Sequence, residues 1–187
     1  MKTKKAVFLD KDGTLIIDVP YNVDPKLIVL TDHCLTGLKQ LQDQGYLLII
    51  VSNQAGVGLG YFKEAALATV EQQIKILLAG ADISLSGFYY CPHRPEDNCD
   101  CRKPAPGLLM RAAADLHIEL DLSWMIGDIL NDMEAGNRAG CKSILIDNDN
   151  ETEWCLNEFR RPLAVARTIN EAANYILEAD GKQLAGV

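Results

Sequence analysis

Short apolar runs alternate along the chain with segments whose apolar positions recur at helical spacing. Residues 6–9 (Ala-Val-Phe-Leu) and 46–51 (Tyr-Leu-Leu-Ile-Ile-Val) are apolar throughout. A strand reads this way when both faces of its sheet are covered, as in a parallel sheet flanked by helices. Between them, residues 33–44 carry Leu35, Leu38 and Leu41 on one helical face, and Gly45 supplies the stop. The pattern then predicts a helix over 63–79, a short strand over 87–90, and a helix over 106–117 with Pro106 suited to its first turn. A strand over 123–126, a helix over 129–139, a strand over 143–146, a weak strand over 165–169 and a helix over 170–178 follow.

Strands alternating with helices predict an α/β fold: a single Rossmann-like parallel sheet with helices on both faces, spanning residues 1–187 as one domain. A length of 187 residues and a hydrophobic content of 48% suffice for one core. No internal repeat, low-complexity tract or linker interrupts it. Ligands of such sheets bind beyond the carboxyl ends of the strands, so chemistry is sought just past each predicted strand.

Asp10-Lys11-Asp12-Gly13-Thr14 directly follows the first strand. Two carboxylates two residues apart can face one site, while a glycine turn lets the backbone approach a ligand. One can attack phosphorus while the other handles protons, provided a divalent cation offsets their repulsion of an anionic substrate. An EF-hand loop fails, because Leu15 and Tyr21 stand where Gly and Glu are required. A hairpin fails because Asp18-Val19-Pro20 breaks the partner strand. A solvated turn remains the plain alternative for this motif alone. However, Ser52 and Asn53 end the second strand, Lys103 precedes a helix, and Gly127-Asp128 with Asp132 ends the fourth strand. Carboxylates, a hydroxyl, an ammonium and further carboxylates thus fall where an α/β fold gathers its ligand groups.

Cys91, His93, Cys99 and Cys101 form C-x-H-x5-C-x-C. Three thiolates and one imidazole make a tetrahedral Zn²⁺ set with no position open for substrate, so a structural zinc-binding loop over 91–101 is expected. Disulfides are the competing reading, disfavoured in a reducing compartment. Cys34, Cys141 and Cys155 stand apart and read as ordinary buried or semi-buried residues. Gly56-Val57-Gly58-Leu59-Gly60 suggests a nucleotide loop, but Tyr61 breaks G-x-G-x-x-G, leaving a flexible segment beside the site. His33 and His117 fall in helical patterns and read as structural.

The formal net charge of −8 argues against a nucleic-acid or membrane-surface partner. An anionic substrate must therefore be caught by a few local cations and a metal. No apolar stretch is long enough to span a membrane, and the apolar run after the basic residues 1–5 is too short for a signal peptide. A cytoplasmic monomer is expected.

D-x-D-G-T, a Ser after the second strand, a Lys and G-D-x-x-x-D together resemble the phosphatases of the haloacid-dehalogenase (HAD) superfamily, over residues 6–147. The resemblance implies that Asp10 is the nucleophile and Asp12 the acid/base. It also implies Mg²⁺ on Asp10, the Asp12 carbonyl and Asp128, with Ser52 and Lys103 on the phosphoryl oxygens and Asp132 positioning the metal shell or Lys103. Gly87-Phe88-Tyr89-Tyr90-Cys91-Pro92-His93, Cys99-Asp100-Cys101-Arg102-Lys103-Pro104 and Ser52-Asn53-Gln54-Ala55-Gly56 are similar to the small zinc-bearing branch, and most to its heptose-bisphosphate phosphatases. No insertion is long enough for a separate cap domain.

This likeness implies removal of the 7-phosphate from a heptose 1,7-bisphosphate, or hydrolysis of another small phosphorylated sugar or polyol. The substrate would touch Asp18, Val19, Pro20, Tyr21, Ser52, Asn53, Gln54, Ala55, Arg102 and Lys103, with Arg102 bidentate on a distal phosphate. Ile129 and Leu59 depart from the branch, which often carries basic residues there. The short zinc loop also resembles that of the histidinol-phosphate phosphatases.

Overall fold

The computed structural model describes residues 3–185; Met1 and Lys2 of the basic N-terminus lie outside the described residues. Six strands form one parallel sheet: β1 (Lys5–Leu9), β2 (Tyr46–Asn53), β3 (Leu85–Cys91), β4 (Trp124–Gly127), β5 (Lys142–Ile146) and β6 (Ala164–Ala166). Their order is β3-β2-β1-β4-β5-β6, stepping outward from β1 in both directions. This doubly wound order opens a crevice where the chain reverses direction across the sheet, between β1 and β4. The helices are α1 (Cys34–Asp43), α2 (Ala66–Ala79), α3 (Gly107–Leu116), α4 (Leu130–Ala139) and α5 (Ile169–Ala185).

The unbroken apolar strands have their cause in two cores. On one face Val7, Leu9, Leu48 and Ile50 pack with Leu38 and Leu41 of α1, Val70 and Ile74 of α2, and Ala172 and Ile176 of α5. On the other, Ala6, Phe8, Ile49 and Val51 pack with Leu108, Leu109 and Ala112 of α3 and Ala135 of α4. Successive strand residues point to opposite faces, so neither phase can be polar. Full burial stabilises by about 1.5–3 kcal/mol per large aliphatic or Phe side chain, and a charge at either phase would disrupt one layer.

The structure refines several boundaries. The α2 helix begins at Ala66, three residues later than its pattern predicts. The last strand is only Ala164–Ala166, and Ile169 opens α5 rather than closing a strand. His33 and His117 sit at helix ends with left-handed φ of 61° and 58°, just outside α1 and α3. Cys155 is exposed, unlike Cys34 and Cys141.

The segment 147–163, between β5 and β6, lacks regular structure but is tied to α4. The Asn137 amide donates to the carbonyls of Phe159 (2.7 Å) and Arg161 (3.0 Å), and Arg160 pairs with Glu134 at 2.7 Å. Those ties hold its later part along α4, while Glu151, which accepts from the Leu130 N–H at 2.6 Å, keeps its start at the carboxyl end of the sheet. No helix among the described residues is long and apolar enough to cross a membrane.

Candidate active site

The carboxyl ends of β1, β2 and β4 converge on one cavity. Asp10 continues β1, its N–H donating to the Ile126 carbonyl of β4 at 2.9 Å. The following turn brings Gly13 to φ +82°, and a Cβ there would lie 2.1 Å from Asp128 Oδ2. Glycine therefore permits both the left-handed turn and the close approach of Asp128. Asp128, just past β4, accepts hydrogen bonds from Thr14 Oγ1 (3.2 Å) on Oδ1 and from Asn150 Nδ2 (2.6 Å) on Oδ2.

Lys103 is only 3% exposed. Its ammonium contacts Asp10 Oδ1, lies 2.7 Å from Asp132 Oδ1, and donates to the Val51 carbonyl at 2.9 Å. Asn53, at the end of β2, fixes it from behind: its amide nitrogen donates to the Lys103 carbonyl and its amide oxygen accepts from the Lys103 N–H, both at 3.0 Å. Asp132 also accepts from the Ile129 N–H at 3.3 Å, so both its oxygens face protein donors.

Asp12 is held differently. Its Oδ1 lies 2.5 Å from the buried Lys11 ammonium, and its Oδ2 accepts from the Gln54 amide at 3.1 Å. The same Gln54 nitrogen lies 2.8 Å from Ser52 Oγ, linking the hydroxyl to the second carboxylate.

Asp10, Asp12, Asp18, Ser52, Asn53, Lys103, Asp128 and Asp132 line this cavity of about 310 Å³ together with Ile129 and Asn150. An adjoining cavity of about 280 Å³ shares Asp12, Asp18 and Asn53 and adds Pro20, Tyr21, Gln54, Ala55 and Arg102. Of the residues expected to meet substrate, Val19 lines neither; its carbonyl accepts from Asn22 N–H at 3.1 Å within the turn. A larger cleft of about 630 Å³ runs beside the cysteine cluster along edge strand β3. It holds none of the paired carboxylates, so the chemistry belongs to the smaller cavities.

The electrostatics call for a cation. Burial pushes the Asp10 carboxyl up to about 7, against the opposing pull of Lys103 and with added repulsion from Asp132 and Asp12. Burial, reinforced by Asp10, raises Asp128 to about 6. Asp132 is also raised by burial, with Lys103 opposing. Lys103 is held above its ordinary value: burial lowers it, but Asp10 and Asp132 more than offset that. One ammonium faces three buried carboxylates whose oxygens lie within 4.8 Å of one another. An all-oxygen set of this size suits Mg²⁺.

The second cluster sits between β3 and α3. The Cys99 sulfur lies 3.5 Å from those of Cys91 and Cys101, and His93 Nδ1 lies 3.4 Å and 3.3 Å from Cys91 and Cys101. A disulfide needs about 2.05 Å between sulfurs, whereas Zn–S and Zn–N bonds of ordinary length make tetrahedral edges of roughly 3.6–3.8 Å. The four ligand atoms thus already surround a point suited to one Zn²⁺.

Strand-end reasoning found the carboxylates and Lys103 but gave no role to Thr14 or Asn150. The signal for the second was present, since Asn148 and Asn150 closely follow β5. Asn148 Nδ2 donates to the Gly13 carbonyl at 2.7 Å, bringing the segment onto the Asp-rich turn.

Comparison with known proteins agrees with this geometry. A family model described as HAD-hydrolase-like matches residues 100–172. The D-glycero-beta-D-manno-heptose-1,7-bisphosphate 7-phosphatase of Salmonella typhi is 36% identical over 172 residues, covering 83% of this chain and 92% of that protein. The enzyme of the same name from Haemophilus ducreyi is 43% identical over 147 residues, covering 75% and 81%. A crystal structure of the D,D-heptose 1,7-bisphosphate phosphatase of B. bronchiseptica, complexed with magnesium and phosphate, matches with a TM-score of 0.81 and 26% identity over 95% of this chain and 99% of that one. The chain belongs to the HAD-like phosphatases, in the family of the heptose-1,7-bisphosphate 7-phosphatases.

Proposed function

We propose that this phosphatase removes the 7-phosphate of D-glycero-D-manno-heptose 1,7-bisphosphate, a small phosphorylated sugar, through an aspartyl-phosphate on Asp10. The observation that carries the mechanism is the buried Asp10–Lys103–Asp132 array, with Asp12 beside it at the junction of the two cavities. The substrate follows from the relatives named above.

A carboxylate oxygen of Asp10 attacks phosphorus, forming the P–O bond to the enzyme as the ester P–O bond breaks. An alkoxide leaves poorly, so protonated Asp12 delivers its proton to the departing oxygen. The resulting Asp12 carboxylate then takes a proton from the water that attacks phosphorus, releasing inorganic phosphate and restoring Asp10. Lys103 and the Ser52 hydroxyl donate to the equatorial phosphoryl oxygens as charge spreads over them, and Asp132 and Asn53 hold Lys103 in place. Asp10, the Asp12 carbonyl and Asp128 would hold Mg²⁺, with Thr14 and Asn150 orienting Asp128. When bound, that ion offsets the carboxylates' repulsion of the incoming anion. Arg102 is the cation available to the distal phosphate.

The same reading takes the chain as one catalytic domain with a structural Zn²⁺ on Cys91, His93, Cys99 and Cys101. A site built of reduced thiols fits a cytoplasmic enzyme. Replacing Cys99 with Ser should remove the zinc and lower Tm by roughly 10 °C. It should also depress kcat/KM, because Lys103 lies two residues beyond Cys101. Metal analysis with thermal melting checks this; full zinc content or unchanged melting would count against it.

Magnesium should also leave a mark on stability. Asp10 and Asp128 are raised to about 7 and about 6 in the folded chain, so folding favours their protonated forms. That contribution is complete below the unfolded carboxylate value of about 4 and is lost as pH rises through the folded values. Metal-free protein should therefore melt lower at pH 8 than at pH 5, and Mg²⁺ should raise Tm more at pH 8, where its ligands are ionised. Equal Mg²⁺ shifts at both pH values would contradict the assignment.

The test of function is phosphate release from heptose bisphosphate, histidinol phosphate and assorted sugar monophosphates. Mg²⁺-dependent turnover should be highest on the heptose bisphosphate. Preference for histidinol phosphate would move the chain to the neighbouring specificity, and no release from any ester would reject the reading.

A further inference from the structure

The segment 147–163 joins β5 to β6 without regular structure, and a loop of this length that stays ordered in a compact domain is as a rule functional. None of its residues is buried, so no core contact sets its course. Polar ties hold it at two places instead. At the first, three residues reach the active site. The Asn148 amide donates to the Gly13 carbonyl (2.7 Å), the Asn150 amide donates to Asp128 Oδ2 (2.6 Å), and Glu151 Oε2 accepts from the Leu130 N–H (2.6 Å).

The contact made by Glu151 falls at a sensitive point. Leu130 opens α4, and the first N–H groups of a helix have no partner within it. Ile129, ahead of the helix, has no polar side-chain atom to offer. Asp132 accepts from the Ile129 N–H, and Glu151 accepts from the next one. A carboxylate is further favoured there by the helix dipole. The turn pinned in this way joins Asp128, the metal ligand from β4, to Asp132, the partner of Lys103. The other oxygen of Glu151 accepts from the Glu153 N–H at 2.8 Å, so the same carboxylate also folds its own loop.

The second tie is a clamp on α4. The buried Glu134 divides its carboxylate between Arg138 (2.8 Å) and Arg160 (2.7 Å), and Arg160 Nη2 also donates to Asn131 Oδ1 at 2.9 Å. The Arg138 guanidinium lies over the Phe159 ring, 4.4 Å from its centroid. Fixing the loop here shortens the free chain that must be ordered to keep Glu151 against α4.

We propose that Glu151 is a positioning residue for the Mg²⁺ site, acting through the turn that carries Asp128, and that the Arg160–Glu134 pair keeps it within reach. This rests on the assignment of Mg²⁺ to Asp10, the Asp12 carbonyl and Asp128. Partners that orient a metal ligand from outside are worth about 10- to 100-fold in metal affinity. Glu151 acts one step further back, so its effect belongs at the low end of that range.

The experiment titrates the chain with Mn²⁺, which takes the same oxygen ligands as Mg²⁺, and follows the free ion by electron paramagnetic resonance. Glu151→Ala should raise the Kd for Mn²⁺ roughly tenfold, and Arg160→Ala about threefold. Glu151→Gln keeps an oxygen for the Leu130 N–H and should stay within about threefold of wild type. Lys5→Ala, which breaks the Lys5–Asp180 pair at the amino end of β1, should lower Tm and leave Kd unchanged. The Mg²⁺ concentration giving half-maximal activity should rise in step with Kd, while kcat at saturating Mg²⁺ stays within about twofold. An unchanged Kd in Glu151→Ala, or an equal rise in Lys5→Ala, would overturn the positioning role. A rise in Glu151→Gln as large as that in Glu151→Ala would overturn the helix cap as its cause. Should Glu151→Ala not fold, Arg160→Ala carries the test, and an unchanged Kd there would overturn the clamp. Failure of the underlying assignment looks different: wild type would hold no Mn²⁺, or Asp128→Asn would hold it as tightly as wild type.

Discussion

Asp10→Asn is expected to lower kcat by roughly 10⁴-fold or more, because it removes the atom that attacks phosphorus and leaves no substitute. Ser52 stands at the site, but its oxygen lies against the Gln54 amide and has no base to activate it. Asp12 is turned toward Lys11 and Gln54, and its part is proton transfer at the leaving oxygen rather than attack on phosphorus. The variant should stay folded. Asn fills nearly the volume of Asp, and Lys103 keeps Asp132 and the Val51 carbonyl. The buried Asp10 charge opposes folding of the metal-free chain, as its raised value near 7 indicates. The metal-free Asn variant should therefore melt no lower than wild type at pH 8. Substantial activity in a folded, wild-type-free preparation would remove Asp10 as the nucleophile.

Lys103→Met is expected to lower kcat/KM by roughly 10³-fold, the loss of a preorganised cation at the transferring phosphoryl group. It should also destabilise the protein, which Asp10→Asn should not. Removing one partner from a buried ion pair costs about 3–5 kcal/mol, equivalent in a chain of this size to a Tm loss of roughly 10 °C. The loss should be greatest in metal-free protein at pH 8, where Asp10 and Asp132 are left as adjacent buried anions. It should shrink at pH 5, below the Asp10 value of about 7, or on addition of Mg²⁺. Lys103→Arg should rescue little, because the space between Val51, Asp10 and Asp132 fits a compact ammonium rather than a planar fork. Phosphate release and thermal melting across pH measure both effects, and a loss of Tm independent of pH would point to packing instead of charge.

What could be read from the chain and what could not follow from the same physics. Residues 6–9 and 46–51 are apolar at every position because each strand phase enters its own core, and that pattern is local. Asp10, Ser52, Lys103 and Asp128 were legible because a parallel sheet gathers its strand ends, whatever the order of its strands. The convergence of Cys91, His93, Cys99 and Cys101 was legible from their spacing alone. The segment 147–163 was not: it has no periodicity, and its course is set by contacts with α4 through Asn137 and Glu134, far away in sequence. Asn150 was missed with it. Asn53 was expected to meet substrate and lines both cavities; that its amide also pairs with the Lys103 backbone is visible only once β2 and the end of the cysteine–histidine loop are side by side. His33 and His117 read as helical because caps share the composition of the turns they close, while only the backbone dihedrals place them outside.

The covalent step is tested most directly by catching the phosphoryl group on the protein. Enzyme mixed with Mg²⁺ and excess substrate, quenched in acid within the first turnover and digested, should yield one phosphorylated peptide. Borohydride reduction should place the acyl phosphate at Asp10, and the adduct should disappear as free phosphate appears. Turnover with no adduct at any quench time, or an adduct on a side chain other than Asp10, would contradict it.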